Sequence, residues 1–246
     1  MPPGNYKRPP IIEAVIAFGF AEPIETASFE KVRAKFAGEY TSVEPRLGLH
    51  VNIDAAVPMR PTSAQPRLDG YKLSTPDQTD IVLVDRQGFT TAKLAPYDGW
   101  PKFCAKAAAN FDRYKAAVGR QQITRIATRY INRLDIPFSA DGRVDPSNYM
   151  TVGPGLPSGL PTPGGYNVLV NFAWPEPRVR VNLITASVPP AIIGHGSFAL
   201  DIDVYLDAGV PQKDADLWAY MDRLRDVKNA IFERCITDAA RAIFDT

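Results

Sequence analysis

Alternation of apolar and polar positions divides the first half of the chain into short, sharply bounded segments. After Pro9-Pro10, the run Ile11 to Phe20 places Ile12, Ile16, Phe18 and Phe20 at even positions, which predicts a first strand. Helical spacing follows at Phe29, Val32 and Phe36, predicting a helix over about Thr26 to Tyr40. Leu47 to Ile53, Gly70 to Leu73, Thr79 to Asp85 and Phe89 to Leu94 then read as short strands, the last two joined in a hairpin at Arg86-Gln87-Gly88. Val57 to Arg67, with Pro58, Pro61 and Pro66, reads as a surface excursion. Phe103, Ala107, Phe111, Tyr114 and Val118 then mark a second helix, Trp100 to Val118, stopped by Gly119.

The second half opens on Ile123 to Pro137, whose even positions carry Ile126, Tyr130, Leu134 and Ile136 while its odd positions carry Arg125, Arg129, Arg133 and Asp135. Strand residues alternate faces and rise roughly 3.3 Å each, so arginines four apart stand about 13 Å apart along one side of a sheet. Ser139 to Gly165 is rich in Gly and Pro, and loops of such length inside compact domains are uncommon and often functional. Tyr166 to Trp174 and Arg178 to Val188 resemble a hairpin around Pro175-Glu-Pro177, and Phe198 to Leu206 alternates apolar residues with Asp201, Asp203 and Tyr205. A final helix from about Asp214 to Phe244, roughly 45 Å long at 1.5 Å per residue, carries a stripe of Leu217, Met221, Leu224, Val227, Ile231, Cys235 and Ile243.

These elements predict a single α+β domain over residues 1–246: a large, curved, antiparallel sheet with helices packed on one face and a long C-terminal helix. The two runs of elements nearly repeat a β-α-β-β-β-α unit. A pseudo-twofold duplication of halves 9–119 and 120–246 is therefore a topological expectation, without sequence identity behind it.

Composition narrows the function classes. Twenty-eight basic and 27 acidic residues leave a formal net charge of +1, so no global field draws the protein to nucleic acid, and such a role needs a local basic stripe. No apolar run approaches the roughly 20 residues that span a bilayer, and Ile11 to Phe20, interrupted by Glu13, does not read as a signal peptide. Cytoplasm is the expected location. Cys104 and Cys235, without C-x-x-C spacing, read as buried free thiols.

Four blocks carry a resemblance: Pro9-Pro-Ile-Ile-Glu-Ala-Val15; Phe89 with Leu94-Ala-Pro-Tyr-Asp-Gly-Trp-Pro-Lys-Phe103; Arg129-Tyr-Ile-Asn-Arg133; and Val227-Lys-Asn-Ala-Ile-Phe-Glu-Arg-Cys-Ile-Thr237. In combination they resemble a sporadically distributed family of uncharacterised bacterial and archaeal proteins, and they span nearly the whole chain. The resemblance implies an accessory gene, such as a defence or toxin and antitoxin component, and brings no assigned activity or catalytic residue. The chain departs from the family's pattern at Pro101, where an acidic residue is usual, and at Lys228, where a histidine is usual.

Candidate chemistry concentrates on the arginine row. Arg125, Arg129 and Arg133 suit an anionic ligand, and Glu13, on the first strand, faces Arg129 or Arg133 if the two strands pair. The same residues equally suit a structural ion pair that fixes strand register. His50 and His195 belong to no familiar motif, and Gly194-His-Gly196 reads as a turn. Gly153-Pro-Gly155 and Gly164-Gly165 read as turns rather than phosphate cradles, since no helix follows at the required spacing. Asp201 and Asp203 share a face, as acid and base pairs do, and as solvated strands do. No metal or cofactor is expected. The leading expectation is a non-enzymatic binding or regulatory protein whose partner is a protein or a small anionic ligand, contacted through Ser139 to Gly165 and the arginine row. The alternative is a pocket enzyme, a hydrolase or lyase, using Glu13 or Asp203 as a base. Base rates alone suggest a homodimer.

Overall fold

The computed structural model describes residues 6–54, 60–140, 142–157, 159–160, 163–176 and 178–245, and of 49–54 and 60–65 the backbone alone. The chain runs β1 (Ile11–Phe20), α1 (Thr26–Phe36), β2 (Ser42–Asp54), β3 (Arg60–Ser74), β4 (Asp80–Asp85), β5 (Gly88–Leu94), α2 (Trp100–Val118) and β6 (Ile123–Pro137). It continues through β7 (Asn167–Ala173), β8 (Val179–Val188), β9 (His195–Leu206), α3 (Asp214–Cys235) and α4 (Asp238–Phe244). The class is α+β, with a nine-stranded sheet hydrogen-bonded in the order β2-β3-β4-β5-β1-β6-β9-β8-β7. The chain divides into two compact units, one of Ala17–Leu94 with Asp98–Ile123, the other of Met1–Ile16 with Ala95–Tyr97 and Thr124–Thr246. The first run of elements reads β-α-β-β-β-β-α, with the four strands expected between its helices, and so exceeds the β-α-β-β-β-α unit by one strand.

In the unit of Ala17–Leu94 and Asp98–Ile123, β2, β3, β4 and β5 are successive antiparallel neighbours, and β4 turns into β5 through Arg86 and Gln87 with Asp85 opposite Gly88. The expected excursion at Val57 to Arg67 is instead largely strand. Its residues 57–59 lie outside the described residues, and β3 begins at Arg60. Pro61 and Pro66 fit because only Gly70 to Ser74 of β3 pair with β4, so the prolines sit where β3 is paired to β2 alone and a missing N–H disrupts no second ladder.

Phe18 stacks on Phe111 with centroids 4.1 Å apart, Phe20 stacks on Tyr114 at 5.4 Å, and Phe89 lies within 4.6 Å of Tyr114. α2 therefore faces the sheet with aromatic rings, and Gly119, at φ +83°, ends it while its N–H donates to Lys115 O. Asn110, fully buried in this interior, donates to Tyr40 Oη at 2.7 Å.

In the other unit β6, β9, β8 and β7 are successive antiparallel neighbours. The even positions of β6 from Ile126 and of β9 from Phe198, among them Leu134, Leu200, Ile202 and Val204, are buried, and α3 packs on β9 with Leu217, Met221, Leu224 and Ile231 buried beneath it. The expected single helix from Asp214 to Phe244 is broken. Ile236 is extended (φ −115°, ψ 152°) and pairs in an antiparallel bridge with Met150, while Thr237 caps α4 by accepting from Ala240 N. The bridge is reinforced by Thr151 N donating to Cys235 O and Thr237 N donating to Tyr149 O, at 2.9 and 3.0 Å. A β-branched pair followed by aspartate, Ile236-Thr237-Asp238, has the chemistry of a helix start, which explains the break. It also rotates the buried stripe, so that Phe244 rather than Ile243 is inside.

Among the described residues no helix is long and apolar enough to cross a membrane. Neither cysteine is in a disulfide. Cys235 is buried, with its thiol pushed up to about 11 by burial, whereas Cys104 is only partly buried.

Candidate functional site

Strand alternation places the odd residues of β6 and β9 on the face opposite α3, and register makes them diagonal neighbours. Arg129 lies across from Asp203 but reaches Asp201 with two bonds, Nε to Oδ1 at 2.8 Å and Nη2 to Oδ2 at 2.5 Å. Arg125 reaches Asp203 at 3.0 Å and lies 4.5 Å over the Tyr205 ring. Asp203 also accepts from Asn182, which in turn accepts from Asn171. Arg133 binds Asp135 through Nε at 2.9 Å, the Pro189 carbonyl at 2.7 Å and Ser197 Oγ at 3.1 Å. Ser197 donates a short hydrogen bond to Asp135.

The arginine row is thus matched carboxylate for guanidinium. Glu13 stands within the field of Arg129 and Asp201 but makes no hydrogen bond among the described residues; the bidentate partner of Arg129 is Asp201. Burial raises the Glu13 carboxyl above its ordinary range, with Arg129 opposing the shift. Burial likewise raises Asp203 against the pull of Arg125. The hydrogen bonds from Arg129 to Asp201 raise the guanidinium further above its already high value.

Residues 144–147, 150–155, 163 and 164 line a pocket of about 600 Å³ at the far end of β8 and β9, within the range that holds small ligands. Its apolar wall comes from Phe138, Met150, Val152, Tyr166 and Phe198, and its polar positions include Asp145, Ser187, His195 and Ser197. Ser197 joins the two regions, since it lines the pocket and belongs to the Arg133–Asp135 group. Asp145 accepts both the amide and the hydroxyl of Ser147 on Oδ1, which holds its carboxyl below the ordinary range. Tyr166, raised by burial, shares a hydrogen bond with Thr185 and stacks on Phe198.

The sequence pattern places His195 in a turn, yet it is the first residue of β9, opposite Pro137, with Gly194 at φ +78° supplying the bend before it. The side chain of His50 lies outside the described residues. Gly153, Gly155 and Gly164 line the pocket wall. Asp145 escapes sequence reasoning, although Asp145-Pro146-Ser147 carries a turn-initiating signature.

Lys228 likewise escapes it as an interior group. It is 6% exposed on α3, its Nζ lies 3.9 Å from the centroid of the Tyr130 ring, and desolvation lowers it to about 7. Tyr130 Oη is 2.9 Å from Tyr97 Oη. The spacing Leu224, Lys228, Ile231, Cys235 is the signal that marks it as inward-facing.

No family model and no curated protein matches the chain. Among solved structures, the TBP of Methanococcus jannaschii is similar at 12% identity and a TM-score of 0.29, with 91% of this chain and 99% of that chain covered.

Proposed function

We propose that this is a non-enzymatic binding or regulatory protein that takes its ligand or partner at the pocket under Ser139 to Gly165 and along the adjoining arginine row. The carrying observation is the pocket itself, about 600 Å³ and mixed in lining, joined through Ser197 to Arg133. The ion pairs count against a catalytic role for the row, because each guanidinium is already engaged by a carboxylate, while Glu13 is the carboxyl of this group without a hydrogen-bonded partner among the described residues. The four-block resemblance adds the context of an accessory protein, such as a defence or toxin and antitoxin component acting in the cytoplasm.

The test is affinity capture of the tagged full chain at native expression from its host, with mass spectrometry of proteins and small molecules. Wild type is run beside Arg125→Gln and a pocket-filling Gly155→Trp. Gly155 has open space where a side chain would begin, so the substitution is sterically free at its base. A stoichiometric protein or small molecule recovered with wild type and lost with either folded variant is the expected result. Equal recovery with all three proteins overturns the site.

One observation favours a second reading, a pocket enzyme of the hydrolase or lyase kind acting on a small anionic substrate. Glu13 and Asp203 are carboxyls raised beside arginines, the property of a general base. Neither lines the pocket under the loop, and the binding reading is preferred on that ground.

A further inference from the structure

We infer that β7 is a self-association edge, at which two copies of this chain pair their β7 strands antiparallel about a twofold axis at Val170. The surface is separate from the pocket and from the binding reading above.

β7 ends the hydrogen-bonded order, with β8 as its neighbour on one side and no described strand on the other. Register decides which of its backbone groups face outward. Ser187 N donates to Tyr166 O, and Trp174 N donates to Val179 O, each at 2.9 Å. Bonded and non-bonded pairs alternate along an antiparallel ladder, so the even positions between Tyr166 and Trp174 are the ones bonded to β8. The odd positions Asn167, Leu169, Asn171 and Ala173 therefore turn their N–H and C=O groups away from β8, where no other described backbone group bonds them.

The side chains leave the strand bare as well. Leu169 is 58% exposed and Val170 40%, and successive strand residues stand on opposite faces, so neither face of β7 is fully covered. Asn167 to Ala173 contains no charged residue and no proline. Solitary edges are blunted by charges, prolines and irregular register. The strand at the other end of the order is blunted in this way: β2 carries Glu44, Pro45 and Arg46 and two breaks in its register with β3. β7 has none of these devices and is a template for a further strand.

The occupant it fits is its own sequence. With Val170 opposite the second copy's Val170, Asn167 meets the second copy's Ala173 and Leu169 its Asn171, so every outward N–H and C=O of the four odd positions finds a partner. Val168 then stands opposite the second copy's Phe172, on the face where β8 buries Val181 and Leu183, and that apolar face continues across the axis. Because the strand is uncharged, the pairing sets no like charges against each other.

A single strand pair lies at the small end of interfaces, below about 1,200 Å², so the association is reversible and is followed by sedimentation velocity of the full chain from about 1 to 200 μM. Wild type should pass from monomer to dimer across that range. Val170→Lys and Val170→Glu, at a partly exposed position, should each raise the dissociation constant at least about tenfold by placing like charges opposite each other, and an equimolar mixture of the two should dimerise again. Circular dichroism matching wild type establishes that each variant is folded. Amide hydrogen exchange reads the same interface without a substitution: Leu169, Asn171 and Ala173 should gain protection as concentration rises, while Val168 and Val170, bonded to β8, are protected throughout. A wild type that stays monomeric at the highest concentration overturns the inference. So does a dimer indifferent to charge at Val170, a mixture of folded variants that stays monomeric, or a dimer whose odd-position amides exchange as freely as in the monomer.

Discussion

The two compact units fill their interiors with different chemistry. In the unit of Ala17–Leu94 and Asp98–Ile123, rings do the packing: Phe18, Phe89, Phe111 and Tyr114 are buried to within a few per cent and stack face to face or at a tilt. In the other, α3 covers an aliphatic sheet face and brings Lys228 onto the Tyr130 ring. An aromatic interior is stable to the same degree at any ordinary pH, whereas an interior holding an amine responds to protons. The difference places a buried, proton-responsive amine in the unit that also contains the pocket.

The largest effect expected is on the aromatic side. Phe111→Ala removes a ring that is 2% exposed and stacked at 4.1 Å on Phe18, and should lower unfolding free energy by about 3–5 kcal/mol at pH 6 and pH 9 alike. Urea midpoints at the two pH values measure it; a strong pH dependence of the loss would break the contrast.

Lys228→Met should act in the opposite direction. The unfolded lysine binds its proton below about 10.4, and the folded one only below about 7. Between those values the unfolded state holds more protons, so this group makes wild-type stability rise as pH climbs from about 7 towards 10. Desolvation is the main cause of the lowering, Arg225 adds to it, and Glu233 opposes it. The methionine variant should be more stable by roughly 1–4 kcal/mol at pH 6, with the gain shrinking towards pH 10. Denaturant unfolding across that range checks it, and a gain that does not shrink with pH excludes Lys228 as the source.

The smallest effects sharpen the picture of the ion-paired face. Arg129→Ala strands Asp201, which is 7% exposed, and should cost about 2 kcal/mol at pH 7. Because Glu13 is already raised, its protonation relieves part of that loss as pH falls. Arg125→Ala breaks a single bond to an Asp203 that still accepts from Asn182, and should cost under about 1 kcal/mol. Denaturant midpoints of the two variants compare them, and equal losses would mean that the diagonal pairs are energetically alike.

Strands and helices with strong periodicity are legible in the sequence. Ile11 to Phe20, Trp100 to Val118 and Ile123 to Pro137 have their expected bounds because alternation, Pro and Gly punctuate them locally. Where the pattern misleads, the deciding contact is distant. Ile236-Thr237-Asp238 carries a local helix-start signal, but nothing local announces that Met150 will pair with Ile236, and prolines in β3 read as a loop because strand pairing on one side only is not a local property. The candidate site divides the same way. The arginine row is visible from period-2 spacing, but its matching by Asp201 and Asp203 depends on a register set between β6 and β9. Asp145 and Lys228 gain their character from folding, one as a pocket wall and the other as a buried amine.

The break between α3 and α4 has an effect on the cost of ordering a ligand site. It pins Tyr149 and Thr151, which flank pocket-lining Met150, to the α3–α4 junction. Closure entropy changes by only about 0.6 kcal/mol for each doubling of loop length, yet fixing these residues also limits independent motion of the wall. For a pocket that binds as proposed, a wall pinned at Tyr149 to Thr151 needs less ordering on binding. Thr237, 89 residues from Asn148 along the chain, donates to its carbonyl, so under the proposed binding reading a substitution there is expected to loosen the pocket wall and weaken binding without touching the ligand.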